Sequence, residues 1–228
     1  MKDQIRQALE VLRKGGIILY PTDTVWGIGC DATDPAAVAK VFAIKNREDS
    51  KSLVLLASDM DMICRYVKEI PEMAVQLVEV NDKPMTIIYP DAIVGPRPVA
   101  SASTGPASCT SSGLVLSSSA GSGTITDLPK ADRHCLAFNT VAEDGTVGIR
   151  IPMMDFCRQL VAALGRPLVS TSANISGEAT PKKFAEISQH IKDSVDHIVE
   201  PTLEKGSTGQ SSSIIKVGLD YSIEIIRK

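Results

Sequence analysis

Aromatic residues make up only 4% of this 228-residue chain, with a single tryptophan, so stacked rings cannot carry its core. A β-sandwich is disfavoured on that count. Ile, Val, Leu and Ala must do the packing, which suits helices laid on a sheet. Cysteine is thinly spread: Cys30, Cys64, Cys109, Cys135 and Cys157 lie far apart with no CxxC pair, and His134, His190 and His197 show no metal-ligand spacing. Zinc-finger and disulfide-framework domains are thereby excluded, and an odd number of cysteines predicts reduced, mostly buried thiols in a reducing compartment. Neither sign of charge dominates: 24 Lys and Arg stand against 27 Asp and Glu, a formal net charge of −3. That balance argues against a protein that coats nucleic acid generally, while leaving room for a local basic cleft. No apolar run spans a bilayer, and the opening "MKDQIRQALEVLRKGG" is charged throughout, unlike a signal peptide or anchor, so a cytoplasmic protein with no membrane partner is expected. Familiar nucleotide and nucleophile signatures are missing too. "EKGSTG" has its lysine before the glycine and is no Walker loop, no G-x-S-x-G occurs, and "GSG" at 121–123 sits in a serine-rich stretch instead of between a strand and a helix.

What is present is an alternation. Ile5, Ala8, Leu9 and Leu12 share a helical face closed by Gly15-Gly16, predicting an amphipathic helix over residues 2–14. "GIILY" is a buried strand that Pro21 ends, so "PTDT" reads as a strand-to-loop exit. Asp34-Pro35 caps a second helix with Val38, Val41 and Phe42 on its buried face, ending near "IKNRE". "SLVLLA", "MTIIYP", "TVGIRIP", "RPLVSTSA", "DHIVE", "SIIKV" and "YSIEIIRK" read as further strands. Helices are predicted from Asp59, over "PEMAVQLVEV", from about Asp155 to Leu164, and after Thr180-Pro181. The pattern predicts one α/β domain over 1–228, its sheet covered on both faces by helices and mixed near its edges. Residues 93–126 break the alternation. Arg97 is the only charge there, and Ser, Gly, Ala, Pro and Thr dominate, a composition that predicts a flexible excursion in preference to an ordered lid. We place this Ser/Gly-rich insertion at about 93–135.

Three distant stretches, "PTDT", "STSAN" and "STGQSSS", each leave a strand or helix end and present small polar groups. Taken singly, each is ordinary turn chemistry. Gathered beyond the ends of sheet strands, such hydroxyls and N–H groups suit phosphate or carboxylate oxygens. "IKNREDSK" adds Lys45, Arg47 and Lys51 at a helix C-terminus, where cations complement the dipole but where a lysine and an arginine fork also grip polyphosphate. Arg150 lies inside an apolar run, where an unpaired charge is costly, so it meets either a protein carboxylate or a ligand anion.

Taken together and in order, "YPTDTVWGIGCDATD", "VFAIKNREDSKSLVLLA", "KPMTIIYP", "VGIRIP", "LVSTSANISGEATP" and "SSSIIKV" resemble the L-threonylcarbamoyladenylate synthase family, the YrdC-type domain, over most of residues 15–90 and 146–217. The resemblance implies a twisted, open mixed α/β sheet with helices on its faces around a large basic cavity. It also implies a cytosolic nucleotidyltransferase of tRNA modification that makes threonylcarbamoyl-AMP and pyrophosphate from L-threonine, bicarbonate and ATP. By motif, Lys45, Arg47, Ser172 and Asn174 match the family's nucleotide-holding, catalytic set, and Lys51 and Thr86 match further ATP contacts. Thr24, Arg150 and Ser212 match positions near threonine and the phosphates. Leu56 stands where some relatives have a histidine near threonine. The resemblance implies Mg²⁺ bound with ATP rather than in a protein metal site, and a separate threonylcarbamoyl-transferase complex as partner. A rival from another class is a non-catalytic paralogue that binds structured RNA, tRNA or double-stranded, through the same cavity. A hydrolase using the serine-rich loops lacks a convincing base.

Overall fold

The computed structural model describes residues 1–46, 53–97 and 134–228. Most of the serine-rich stretch therefore lies outside the described residues, as do Arg47 and Lys51.

Helix α1 (Lys2–Leu12) buries Ile5, Ala8 and Leu12 and packs on α5 and β1. It stops two residues short of the predicted end. Gly15 takes the left-handed conformation at φ 70°, and Gly15 N and Gly16 N donate to the carbonyls of Leu12 and Val11. Strand β1 (Ile18–Tyr20) follows, but Pro21 does not lead into open loop. Residues 27–29 form a second strand, β2 (Gly27–Gly29), paired antiparallel with β1, so "PTDTVW" is the six-residue connection of a hairpin. The sequence reading missed β2 because Gly-Ile-Gly has little intrinsic strand preference. Close approach is what calls for glycine there: a Cβ on Gly29 would lie 2.6 Å from the Val169 carbonyl oxygen and 2.7 Å from the Tyr20 ring.

Helix α2 (Pro35–Ile44) begins as expected, with Asp34 accepting from Ala36 N and Ala37 N, and ends at Lys45, after which Asn46 turns left-handed at φ 47°. Then come β3 (Val54–Leu56), α3 (Met60–Tyr66) capped by Asp59, α4 (Glu72–Val80), β4 (Met85–Tyr89), β5 (Val147–Arg150), α5 (Asp155–Leu164) and β6 (Leu168–Ser172). The helix expected after Pro181 is broken. A 3-10 turn at Phe184–Glu186 is followed by an extended Ile187, and Ser188 then caps the five-residue α6 (Gln189–Asp193) by accepting from Ile191 N. Strands β7 (His197–Ile198), β8 (Ser213–Val217) and β9 (Ile223–Arg227) complete the chain.

The nine strands among the described residues join one sheet in the order β7-β1-β2-β6-β3-β5-β4-β8-β9. It is mixed: β1–β7, β3–β5 and β4–β8 pair parallel and the other neighbours antiparallel. Mixed pairing runs through the middle of the sheet as well as its edges. Register divides the central strands cleanly. Val169, Leu55, Ile149 and Ile87 are cross-strand partners on one face and are all buried in the core. Their alternates Ser170, Val54, Gly148 and Ile88 form the opposite row and floor a cavity. No helix among the described residues is long and apolar enough to cross a membrane. Cys30, Cys64 and Cys157 are buried free thiols, as expected, whereas Cys135 is disulfide-bonded, which corrects the reading of uniformly reduced cysteines. Spacing along a chain does not report which thiols meet in space.

Two outcomes follow. Gly29→Ala should cost about 1–3 kcal/mol, because the clash is with backbone and neither strand can yield alone; urea unfolding should show a lower midpoint at unchanged m. His197 on β7 has a buried, unpartnered Nε2, and burial holds its imidazole below the ordinary value. The unfolded chain then binds that proton more readily, so stability should fall as pH drops below about 6.5. His197→Gln should flatten that acid limb in urea titrations at several pH values.

Candidate functional site

The β1–β2 connection is polar because its hydroxyls close the turn. Thr22 Oγ1 donates to Val25 O at 2.7 Å and accepts from Thr24 N at 3.1 Å. With its proton spent, Thr22 must accept in the 2.8 Å contact between the two hydroxyls, so Thr24 Oγ1 is the donor there. Thr24 Oγ1 in turn accepts from Arg150 Nη2 at 3.3 Å. Asp23 Oδ1 accepts from Arg150 Nη1 at 2.7 Å and Oδ2 from Met153 N at 2.9 Å. Both partners are almost wholly buried, Arg150 being 3% and Asp23 5% exposed. Of the two fates open to Arg150, it takes the carboxylate, and it lines the cavity as well.

The other two polar stretches arrive at the same place. From "STGQSSS", Ser207 Oγ donates to the Thr22 and Thr24 carbonyls, Thr208 N to Asp23 O at 3.0 Å, and Gly209 N to Thr24 O at 2.8 Å. From "STSAN", Ala173 N donates to Trp26 O at 3.0 Å as β6 leaves its pairing with β2. Trp26 forms part of the wall. Its Nε1 donates to Glu204 Oε2 at 2.7 Å, and its ring sits 4.9 Å from that of Phe184.

Around these loops lies a cavity of about 320 Å³. Thr24, Thr86, Thr146, Ser170, Ser172 and Ser212 line it together with Arg150 and Arg227, and no carboxylate is among its described lining residues. Thr86 and Ser212 share a 2.8 Å hydroxyl contact that ties β4 to the start of β8. Arg227 Nε donates to Ser212 O at 2.8 Å. Burial, and then the like charge of Arg150, hold the Arg227 guanidinium below its ordinary value. Arg150 is already paired with Asp23, and the further positive charge that Arg227 brings to the cavity favours an anion there.

Five of the sequence-predicted residues therefore converge on the cavity: Thr24, Thr86, Arg150, Ser172 and Ser212. Lys45 and Asn174 do not line it. Lys45 Nζ lies beneath the "STSAN" loop, donating to Ser172 O and Asn174 O at 2.6 Å each. Asn174 Nδ2 donates to Ile175 O at 2.9 Å and Glu178 O at 2.8 Å, leaving Oδ1 buried without a partner. Leu56 is fully buried and pairs in register with Arg150.

Sequence reasoning missed Arg227. Ile214 faces the cavity and is Arg227's partner, while Ile215 on the other face is partnered by Ile225, so Ile226 is an extra residue in β9. Strict alternation would have put Arg227 on the same face as Ile225. The bulge turns it into the cavity. Thr146 was missed as well, and only its place just before β5 distinguishes it.

Among the described residues, no histidine or cysteine lines the cavity. His190 is exposed on α6, His197 lies on the edge strand β7, and neither lines the cavity. Burial pushes the Cys30, Cys64 and Cys157 thiols up. Among the described residues, no three His, Cys, Asp or Glu are grouped to hold a metal ion.

Comparison with known proteins agrees with this architecture. The Sua5/YciO/YrdC family model, described as telomere recombination, matches residues 10–106 and 106–228. A threonylcarbamoyl-AMP synthase of Chromohalobacter salexigens is 30% identical over 186 residues, covering 81% of this chain and 78% of that protein. One from Pseudoalteromonas translucida is 29% identical over 220 residues, covering 94% of each chain. Among solved structures, E. coli YciO superposes with a TM-score of 0.68 at 22% identity, covering 100% of this chain and 90% of its own. P. abyssi Sua5 complexed with L-threonine gives 0.64 at 22% identity, covering 93% of this chain. This chain spans 50% of that Sua5 chain.

Removing one member of the buried pair should expose its worth. Asp23→Ala strands the Arg150 charge and should cost about 3–5 kcal/mol, whereas Asp144→Ala, which breaks an exposed pair with Lys216, should cost under about 1 kcal/mol. Urea unfolding of the two variants side by side checks the contrast.

Proposed function

The chain belongs to the Sua5/YciO/YrdC family, and on that premise we propose that it is an L-threonylcarbamoyladenylate synthase, forming threonylcarbamoyl-AMP and pyrophosphate from L-threonine, bicarbonate and ATP for N6-threonylcarbamoyladenosine in tRNA. Relatives named threonylcarbamoyl-AMP synthase support the activity, and a Sua5 structure solved with L-threonine supports the amino acid. The observation that carries the reading is the convergence of three remote polar stretches and two guanidiniums on one cavity without a lining carboxylate.

Threonine's amine captures carbon dioxide or bicarbonate to give a carbamate. A carbamate oxygen then attacks the α-phosphorus of ATP in line as the bond to pyrophosphate breaks. No protein nucleophile is required, so positioning and charge stabilisation supply the acceleration. Arg150, oriented by Asp23, takes the threonine carboxylate, with Thr24 and Ser212 beside it. Thr24 Oγ1, whose proton goes to Thr22, retains a lone pair to accept from a substrate N–H or O–H. Ser172, Thr86 and Arg227 serve the nucleotide, with Arg227 countering phosphate charge. Arg47 and Lys51 complete the nucleotide grip by motif. Mg²⁺ would enter with ATP, carried by the nucleotide's phosphates and water, since no carboxylate is among the described lining residues to hold it. The product then passes to a separate threonylcarbamoyl-transferase that acts on tRNA.

Purified protein incubated with ATP, Mg²⁺, bicarbonate and labelled threonine should release pyrophosphate and the labelled adenylate, in amounts that depend on threonine. Arg227→Ala should weaken ATP binding by about tenfold or more, the scale of one lost charged hydrogen bond, measured by calorimetry. Salt-dependent binding of structured RNA with no threonine-dependent ATP turnover would replace this reading with the RNA-binding one.

A further inference from the structure

One buried ammonium organises the loop that brings Ser172 to the cavity. Lys45 follows the last turn of α2 and is 3% exposed, and its Nζ donates to the main-chain carbonyls of Ser172 and Asn174 at 2.6 Å each. Its own carbonyl accepts from Ser176 N at 2.9 Å. One residue thus holds the loop at three places, from the end of β6 to Ser176. The loop is tied to the β1–β2 hairpin as well, through Ala173 N and Trp26 O.

These contacts determine what the ammonium can do. It is a compact charge with three donors, and two of them are spent on carbonyls at charge-assisted distances. Turning those two donors toward a phosphate would take the ammonium from the Asn174 carbonyl and leave the Ser172 carbonyl with Asn174 N alone, at part-buried positions where lost charge-assisted bonds are costly. The cavity wall includes the Ser172 side chain and excludes Lys45. We infer that Lys45 is a positioning residue: its ammonium fixes the Ser172–Ser176 loop from beneath, and its effect on nucleotide binding passes through Ser172 rather than through contact with phosphate. The inference rests on the ATP-binding reading for its second half only. The loop clamp stands on geometry alone.

Three measurements separate this role from direct contact. In the ligand-free protein, Lys45→Met should speed amide exchange at Ala173 and Ser176 by about tenfold or more, the scale of lost charge-assisted bonds, while amides of the core strands β3 and β5 keep their protection. Unchanged exchange in the loop overturns the clamp. In nucleotide titrations of the same variant, AMP and ATP should weaken by the same factor. A loss for ATP about tenfold greater than for AMP marks a phosphate contact and overturns the inference. Should Lys45→Met not fold, the unaltered protein labelled with nitrogen-15 in lysine and carbon-13 in its main-chain carbonyls decides. Its Lys45 Nζ should show couplings across hydrogen bonds to two carbonyl carbons, and these should persist when ATP is added. Their absence, or their loss on adding ATP, overturns the proposal. A protein that binds neither nucleotide fails the functional reading, while the exchange and coupling measurements still decide the clamp.

Discussion

Arg150 and Asp23 meet at 2.7 Å with almost no exposure, and each binds more than the other. Arg150 ends β5 and reaches Thr24, while Asp23 takes Met153 N with its second oxygen and offers its main-chain carbonyl to Thr208. A buried ion pair of this kind adds little net stability against an apolar substitute, because both charges lose their water. Its effect is geometric. It fixes the β1–β2 hairpin loop, the exit of β5 and the segment before β8 in one mutual arrangement, and the cavity is the space those segments enclose.

The sheet provides the rest of the enclosure by using its two faces differently. Along β3, β5 and β6 one side chain goes to the core and the next to the cavity, so a single register sets hydrophobic packing and site geometry together. A slip of one residue would exchange Leu55 with Val54 and Ile149 with Gly148, filling the cavity while emptying the core. Site and stability are therefore coupled through register, which explains how a site composed largely of hydroxyls stays open beside a core of Leu, Ile and Val. The small Gly148 in the floor preserves depth: a Cβ there would lie 3.4 Å from the Thr86 methyl.

Much of this was legible beforehand. Helix caps at Asp34 and Asp59, the strand at residues 54–56 and the polar exits "PTDT", "STSAN" and "STGQSSS" all follow from local chemistry. Other features were not legible, each for a particular reason. Strand β2 is held by its partners against the low preference of glycine. The break at Ser188 arises where a capping residue interrupts an otherwise helical apolar spacing. Arg227 depends on one unpaired residue in β9, and no periodic pattern announces a bulge. For Lys45 the sequence offered only a cation near a helix end, and the direction of its ammonium was open.

By itself, then, the sequence determined most of the element types, the family resemblance and most of the polar residues from which a site would be drawn. These depend on period, caps and motif order, all local quantities. The tertiary structure alone decided which cations face the cavity and which are spent on the protein. Arg150 does both, Arg227 is turned inward by a bulge, and Lys45 is turned toward the Ser172 and Asn174 carbonyls. Those outcomes turn on where a charged group finds partners once water is withdrawn, and the partners of Arg150 and Lys45, more than a hundred residues away, are fixed only when the sheet closes on its register.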